Sequence, residues 1–441
     1  MSTASALRSS LGAMVRGSVA TSEPVRKAVR VVNFSWLTVL SALAQSILGV
    51  YAIDVGQNPA GRTGGIMQGE ISAEAAKQGV FLVVGMLACV IVALPHYRFI
   101  GLMAWPFYAL CVVLLIVLIA PGVPTWLVRP RNGARAWMDF GPVDFQPTEI
   151  AKIAFVLAVA RYMRFRSHHR RFRGLVVPGI IAAVPIGLIT IQPDLGGAFL
   201  FVPALFAILI AAGARLRHLT LIVACAALAA PASWPFLMPS QKARVIGLYK
   251  QFQGDTSTAF DINYQAMTAQ TLIGAGEASG RTEPQARALI HYNRLPERHN
   301  DMIPAVIVNR FGFWGGVATM TLYLMWVAGG WLVAATCRDP LARLIAAGLP
   351  AVIGVQAVIN FGMNLGLLPI IGVTLPFVSY GGSSLLACWI MTGLIVNVAL
   401  HKPRPPYRPS FEYADDDGPN HLQPVKPYGR SVGFSGRALT R

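Results

Sequence analysis

One aspartate, Asp301, ends the polar stretch LPERHND and stands just before an apolar run long enough to cross a membrane. Its neighbours Glu297, Arg298 and His299 are also ionisable. At such a boundary burial raises the pKa of a carboxyl group and nearby arginines lower it, which is the adjustment that a general base needs. Asp301 or Asn300 would equally serve as the N-cap of the next helix, and the spacing alone favours the cap over the base.

A second candidate for chemistry is the basic segment RPRNGARAW, which contains Arg129, Arg131 and Arg135. Guanidinium groups bind phosphates through two parallel hydrogen bonds, so arginines beside a membrane surface suit a lipid-linked phosphate. The alternative is that these side chains extend to lipid headgroups and serve only to anchor the helix end.

Three further segments place polar residues in apolar surroundings. Glu149 and Lys152 in QPTEIAK are three residues apart on one helical face, and they form either a substrate contact or a buried structural ion pair. Asp194 in IQPDLGG is either a functional carboxylate or an N-cap. The stretch 360–386 is rich in Pro and Gly, and non-helical backbone at membrane depth survives where it lines a site.

These residues must be positioned by membrane-spanning helices. The chain is 54% hydrophobic and 13% charged, whereas average soluble domains carry about 25% charged residues. We predict an all-α, multi-pass membrane protein with about ten helices separated by short connections. The predicted spans are 32–53, 79–94, 99–120, 147–163, 174–191, 195–213, 216–238, 303–335, 341–362 and 380–400.

The net charge of +18 follows the topology rather than a nucleic-acid site, because basic residues alternate with the spans. They predict that the basic N-terminal tail 1–31 and the disordered C-terminal tail 401–441 are cytoplasmic. The spans form one transmembrane domain, 32–400, and the connection 239–302 is a large extracytoplasmic loop that we expect to be mostly solvated. No nucleic-acid partner is expected.

The cysteines all lie within or at the end of apolar runs. They have no CxxC spacing and no polar partner nearby in the sequence, so we interpret them as small buried hydrophobic residues. The residues are Cys89, Cys111, Cys225, Cys337 and Cys388.

Read together, the segments NGARAW, QPTEIAK, QPDLG, LPERHND and NLGLLPIIGVTLPFVSYGGSS resemble the SEDS family (shape, elongation, division and sporulation). These are the FtsW/RodA-type peptidoglycan glycosyltransferases. The order of the segments, their spacing and the ten-span layout agree over about residues 32–400. The long basic N-terminal tail and the long C-terminal tail favour the division branch, FtsW, over the elongation branch, RodA.

The resemblance implies an inverting polymerase that joins lipid II into β-1,4 glycan at the outer face of a bacterial cytoplasmic membrane. It places Asp301 on the catalytic aspartate, and Asp301 is the candidate ligand if a divalent cation, Mg²⁺ or Mn²⁺, takes part. No organic cofactor is expected. The implied partners are a class B penicillin-binding protein and the divisome or elongasome. The implied substrate-binding residues are Arg129, Arg131, Arg135, Trp137, Glu149, Lys152, Gln192, Asp194, Asn364, Ser379 and Ser383.

The sequence also departs from the family pattern. Where relatives carry a Glu pair after the aspartate, this chain has Asn309 and Arg310, and Asn300 replaces the usual Thr before Asp301. These departures keep open a non-catalytic scaffold for a penicillin-binding protein. A lipid II flippase is the other alternative, although the polar motifs gather on one face instead of at the bilayer midplane.

Overall fold

The computed structural model describes residues 34–402, except 60–70, 129, 131–133, 142–143, 167–170, 230 and 254–262. The predicted tails 1–31 and 401–441 therefore lie almost wholly outside the described residues. Its helices are α1 Ser35–Gln57, α2 Ala73–Ala93, α3 Tyr97–Leu102, α4 Ala104–Ile119, α5 Pro147–Met163, α6 Val176–Ile191, α7 Leu195–Phe199, α8 Phe201–Ala212, α9 Leu216–Ala229, α10 Pro239–Phe252, α11 Tyr264–Ala275, α12 Glu283–Tyr292, α13 Ile303–Thr336, α14 Pro340–Asn364 and α15 Gly382–His401. Two short strands, β1 Met138–Asp139 and β2 Asp144–Phe145, form an antiparallel pair.

The helices agree with the predicted all-α membrane fold. In the described part of the chain, seven segments are long and apolar enough to span a bilayer, and α4 and α9 are shorter apolar helices. The remaining predicted span, 147–163, corresponds to α5, which carries the Glu149–Lys152 pair. The predicted span 216–238 is too long, because α9 ends at Ala229 and a 3₁₀ turn from Pro231 to Phe236 follows. Proline ends helices because it lacks a backbone N–H.

The centre of the bundle is formed by α5 and α14, which are buried along most of their length. Around them, α15 packs closely on α2: a Cβ atom on Gly393 would lie 2.6 Å from the carbonyl oxygen of Cys89. Small residues at such crossings let two membrane helices approach each other. The outward faces of α2 and α4 expose large apolar side chains such as Leu87 and Ile116, which suits contact with lipid.

Most described residues of the connection 239–302 are exposed or half-buried, as predicted, but part of the connection is buried against the helix bundle. It contains α10, α11 and α12, and the last two pack on the bundle. On α12, Arg287 is only 1% exposed and its Nη2 lies 2.8 Å from Asp54 Oδ2 and 2.7 Å from Glu283 Oε1. The interspersed charges that suggested a solvated loop include buried pairs, and these fasten α12 to the C-terminal end of α1.

The cysteine prediction also needs one correction. Cys89, Cys111, Cys337 and Cys388 are buried, as expected, whereas Cys225 is exposed. It lies on α9, which among its described side chains buries only Leu219 against the bundle. An apolar sequence pattern does not distinguish a helix face that meets protein from one that meets lipid.

Candidate active site

Asp301 lies in the turn between α12 and α13 and is 7% exposed. The prediction that it, or Asn300, caps the next helix is wrong. Helix α13 begins at Ile303, its N-cap residue is Met302, and no side chain makes a cap hydrogen bond there. Pro304 in the first turn has no N–H, so the helix start has one fewer donor to satisfy. The Asp301 carboxyl group is therefore not used as a helix cap.

The backbone at Asp301 is held from the side of α14. The side-chain amides of Asn360 and Asn364 each donate to the Asp301 carbonyl oxygen, at 2.9 Å in both cases. Both asparagines are fully buried. The Asn360 amide also donates to the carbonyl oxygen of Val373 at 2.6 Å, which ties the Pro- and Gly-rich loop to the same point. These bonds fix the Asp301 backbone and do not involve its carboxyl group.

The two residues before Asp301 are held by the loop that follows α14. The Tyr380 N–H donates to the carbonyl oxygen of His299 at 2.8 Å, and the Ser379 hydroxyl donates to that of Asn300 at 2.6 Å. The Leu375 N–H donates in turn to Ser379 Oγ at 2.8 Å. Three consecutive carbonyl groups thus accept hydrogen bonds from one wall, which is the pre-organisation expected of a catalytic side chain's support.

The Asp301 carboxyl group has an unusual pKa. Burial, followed by the negative charge of Glu297, raises it from 3.8 to about 7. Its own N–H, the Met302 N–H and the Arg244 guanidinium oppose the shift. Among the described side chains, Gln265 makes only a weak contact with this carboxyl group, with its Nε2 3.4 Å from Asp301 Oδ1. A carboxyl group that exchanges its proton near neutral pH is suited to accept a proton from a hydroxyl group.

A second ionisable cluster lies between α5 and α14. Lys152 Nζ lies 2.9 Å from Glu149 Oε1 and 3.2 Å from Gln356 Oε1. Lys152 is 1% exposed and Glu149 is 6% exposed. The predicted shared face is confirmed, and the enclosure of both charges favours the structural ion pair over a substrate contact. The Gln356 amide in turn donates to the Thr374 carbonyl oxygen at 3.0 Å. Glu149, Lys152 and Gln356 thus form a buried brace between α5 and α14.

The QPDLG segment also has structural contacts. Asp194 Oδ1 accepts the Gly197 N–H at 2.8 Å and caps α7, as one of the two alternatives predicted. Burial raises its pKa, while the Gly197 N–H and Lys152 oppose the rise. Gln192 donates to the Leu115 carbonyl oxygen at 3.0 Å. A Cβ atom on Gly196 would lie 2.7 Å from the Ile371 carbonyl oxygen, so this glycine permits the close approach of the Pro- and Gly-rich loop.

The remaining predicted site residues occupy different positions. Asn364 and Ser379 belong to the support of Asp301, whereas Ser383 accepts the Gln146 N–H at 3.3 Å at the start of α5. Arg135 and Trp137 are partly buried before the β1–β2 pair, and Arg135 Nε is buried without a hydrogen-bond partner. Arg129 and Arg131 lie outside the described residues.

Sequence reasoning missed two members of the site, Gln356 and Asn360. Together with Asn364 they stand four residues apart and form a polar face along the C-terminal half of α14. Buried amides at positions i, i+4 and i+8 of an apolar helix are the signal that could have identified them, because polar groups inside a membrane helix face protein rather than lipid.

The departures from the family pattern have structural partners of their own. The Asn309 amide donates to the Leu272 carbonyl oxygen at 2.8 Å and so holds α11 against α13. Arg310 donates to the Tyr51 hydroxyl at 2.9 Å and to the Arg281 carbonyl oxygen at 3.0 Å. Both residues help to hold residues 263–292 against the helix bundle. Neither takes part in the hydrogen bonds that hold Asp301.

A divalent cation fits this site only with the substrate's help. Among the described residues, no group of three or more His, Cys, Asp or Glu side chains could hold a metal. Mg²⁺ commonly binds through one or two carboxylates, with substrate phosphates and water completing its octahedron. Asp301 would be the protein ligand in such an arrangement.

The fold and the site define a multi-pass α-helical membrane protein with a buried carboxyl group, that of Asp301, at a helix entrance. Residues 39–404 match the model of the family described as Cell cycle protein, FTSW_RODA_SPOVE. Over 301 residues the chain is 32% identical to the peptidoglycan glycosyltransferase MrdB of Escherichia coli K12, covering 67% of this chain and 77% of the relative. It is 29% identical over 329 residues to the probable peptidoglycan glycosyltransferase FtsW of Geobacter metallireducens, covering 73% and 84%.

Solved structures agree. The rod shape determining protein RodA of Thermus thermophilus superposes with a TM-score of 0.60 at 25% identity, covering 84% of this chain and 98% of that one. A chain from a study of polymerization and crosslinking by a peptidoglycan synthase complex gives a TM-score of 0.68 at 29% identity, covering 83% and 97%. The chain therefore belongs to the Cell cycle protein family of FtsW, RodA and SpoVE, the SEDS proteins. Its predicted activity, peptidoglycan glycosyl transfer, is confirmed.

Proposed function

We propose that this protein polymerises lipid II at the outer face of the cytoplasmic membrane, with Asp301 as the general base. The observation that carries the assignment is a carboxyl group 7% exposed, with a pKa near 7 and no helix to cap. Its support by α14 and the 373–380 loop holds it in one place, and a base is effective only when it is positioned.

The proposed step transfers one glycosyl group with inversion. Asp301 takes the proton of the acceptor's 4-hydroxyl group, and the hydroxyl oxygen forms a bond to the anomeric carbon of the donor. The bond from that carbon to the diphosphate oxygen breaks, and the diphosphate leaves with the electron pair. Arg135, whose Nε has no hydrogen-bond partner among the described residues, would stabilise the charge that develops on the leaving group. Arg129 and Arg131 are proposed to assist it.

A divalent cation, when bound, would neutralise diphosphate charge at this step. We propose Asp301 as its protein ligand. Such a cation would also lower the pKa of the Asp301 carboxyl group, because a nearby positive charge favours the ionised form.

The surroundings of the protein are proposed from the same resemblance. The 239–302 region faces outward and both tails face the cytoplasm, in line with the basic residues on the inner connections. A class B penicillin-binding protein is the proposed partner, since one solved relative comes from a complex that coordinates polymerization and crosslinking. The division branch stays a prediction, because MrdB and FtsW relatives match at similar identity, 32% and 29%.

The test is glycan synthesis in detergent micelles, where flipping between leaflets has no observable product. Purified protein with its transpeptidase partner, lipid II and Mg²⁺ should form polymer, and Asp301→Asn should lower the rate on the order of 100- to 10,000-fold. Asn is nearly isosteric, so an unchanged unfolding temperature would show that the fold is kept. Equal polymer from both forms would refute the base. No polymer from the wild-type complex would favour a flippase or a scaffold.

A further inference from the structure

A cavity of about 420 Å³ opens between the C-terminal end of α1 and the segment that leads to Asp301. Its polar walls include Gln57, His291, Arg294 and Arg298. Glu297 lies at its exposed rim, where the Asn300 amide holds it at 2.7 Å. Apart from Leu295 and the rim residue Glu297, the lining side chains carry positive charge or hydrogen-bond donors, so the cavity favours an anion.

Arg298 on the cavity wall is a cation without a direct ion pair among the described residues. It is partly buried, yet among the described residues it has no carboxylate within ion-pair distance. Its hydrogen-bonding neighbours are His291 Nδ1 at 3.3 Å and Gln57 Oε1 at 3.4 Å, both uncharged acceptors. By contrast, Arg287 on α12 is paired with two carboxylates, those of Asp54 and Glu283. The charge of Glu74 favours the Arg298 guanidinium from beyond ion-pair distance. A partly desolvated guanidinium without a direct ion pair costs free energy, which an anionic ligand in contact with it would recover.

His291 adds a second donor. Because Arg298 donates to its Nδ1, the imidazole hydrogen lies on Nε2 when the ring is neutral. Burial, together with the positive charges of Arg298 and Arg287, lowers the pKa of His291 and keeps the ring neutral. Its Nε2 is buried and has no hydrogen-bond partner among the described residues. A guanidinium and a neighbouring N–H donor are groups that bind phosphate oxygens.

The proposed reaction requires two anion sites. The donor lipid loses its diphosphate at the anomeric carbon, while the acceptor lipid keeps its own at the opposite end of a disaccharide from the reacting hydroxyl group. The acceptor's diphosphate must therefore lie beside Asp301 but not on it. The cavity meets this condition, because His299 on its wall precedes Asp301 by two residues.

We propose that this cavity binds the diphosphate of the acceptor lipid, with Arg298 and His291 as its ligands. The assignment rests on the proposed function. The two lipid substrates then have different diphosphate sites. The donor diphosphate is bound near Arg135, and the acceptor diphosphate is bound near Arg298.

The test counts bound diphosphates. Calorimetric titration of the purified protein in detergent with farnesyl diphosphate should give two sites for the wild type. Arg298→Gln should leave one, and Arg298→Lys should keep the second site with weaker binding, because Lys retains the charge without the planar fork. Lys242→Gln is the matched control, because Lys242 donates only to a backbone carbonyl of its own region and should keep both sites. Asp301→Asn should also keep both.

Polymerisation supplies an independent readout. Arg298→Gln should raise the lipid II concentration for half-maximal rate by about tenfold or more, the loss expected for one charged hydrogen bond, while the maximal rate changes little. One site in the wild type, or two sites in Arg298→Gln, would overturn the proposal. Displacement of the second farnesyl diphosphate by equimolar phosphatidylglycerol would also overturn it and identify a lipid-headgroup site. If the sites count as predicted but the wild type makes no polymer, the proposed function fails while the anion site stands.

Discussion

Two buried acidic residues beside α14 have different environments. Glu149 faces Lys152 at 2.9 Å, and Lys152 is also bonded to Gln356. Asp301 is as well buried but has no cation within ion-pair distance among the described residues, and the 3.4 Å contact from Gln265 is weak. The same polar face of α14 supports both surroundings, through Gln356 at the ion pair and through Asn360 and Asn364 at the Asp301 backbone.

The difference shows which carboxyl group is available for chemistry. A buried charge with a complete set of partners braces the bundle, because breaking the pair would leave its partner charged in a low-dielectric interior. A buried carboxyl group whose backbone is held but whose side chain is not neutralised has its pKa raised, and it can accept a proton near pH 7. The sequence indicated both Glu149 and Asp301 as site residues. In the structure Glu149 is ion-paired with Lys152, whereas Asp301 has no ion pair with any described residue.

The largest expected effect comes from breaking the brace. Lys152→Met would leave Glu149 buried without its partner, and we expect a loss of about 3–5 kcal/mol in the free energy of unfolding. Chemical unfolding in detergent, followed by far-UV circular dichroism, measures it. Wild-type stability in this variant would contradict the brace.

The double variant Glu149→Gln with Lys152→Met sharpens the same comparison. It removes both charges and keeps similar volumes, so most of the lost stability should return, because replacing a whole buried pair is often close to neutral. Glycan polymerisation per folded molecule should stay near the wild-type rate. A folded but inactive double variant would instead assign Glu149 or Lys152 to the substrate.

A smaller effect on stability, but a clear effect on turnover, is expected at the support of Asp301. Asn364→Leu removes one of the two amides that hold the Asp301 carbonyl oxygen, and misplacing the base should lower kcat on the order of 10- to 100-fold. Asn397→Leu is the matched control: Asn397 is equally buried, and its amide bonds the Val92 carbonyl oxygen at 2.8 Å, away from Asp301. Equal loss of kcat in both variants would show a general packing effect.

The smallest effects should appear in the pH profile. Arg244 lowers the pKa of Asp301 and Glu297 raises it. Arg244→Gln should therefore move the midpoint of the rate profile to higher pH, and Glu297→Gln should move it to lower pH. The two variants serve as controls for each other. A shift of the midpoint in the same direction in both would show that the pH profile does not report the ionisation of Asp301.

Much of this account could be predicted from the sequence. Apolar runs locate the spans because bilayer thickness sets their length, and the order of the motifs identifies Asp301. The cap prediction was wrong because spacing does not show where a helix begins when a proline lies in its first turn. The helices of 239–302 were missed because buried pairs such as Arg287–Asp54 join residues far apart in sequence. Gln356 and Asn360 were missed because their amides donate to backbone carbonyls of residues distant in the sequence. Every residue type has a backbone carbonyl, so no sequence motif marks such partners.

The most direct test of the central claim is the pH dependence of kcat/KM for lipid II, measured in micelles from about pH 5 to pH 9 at saturating partner. A base accepts a proton only when ionised, and the pKa of Asp301 is raised to about 7. The rate should therefore rise about tenfold per pH unit below the midpoint and level off above pH 7, with a bound divalent cation moving the midpoint to lower pH. A profile that is flat across this range at low cation concentration would contradict the assignment of Asp301 as the general base.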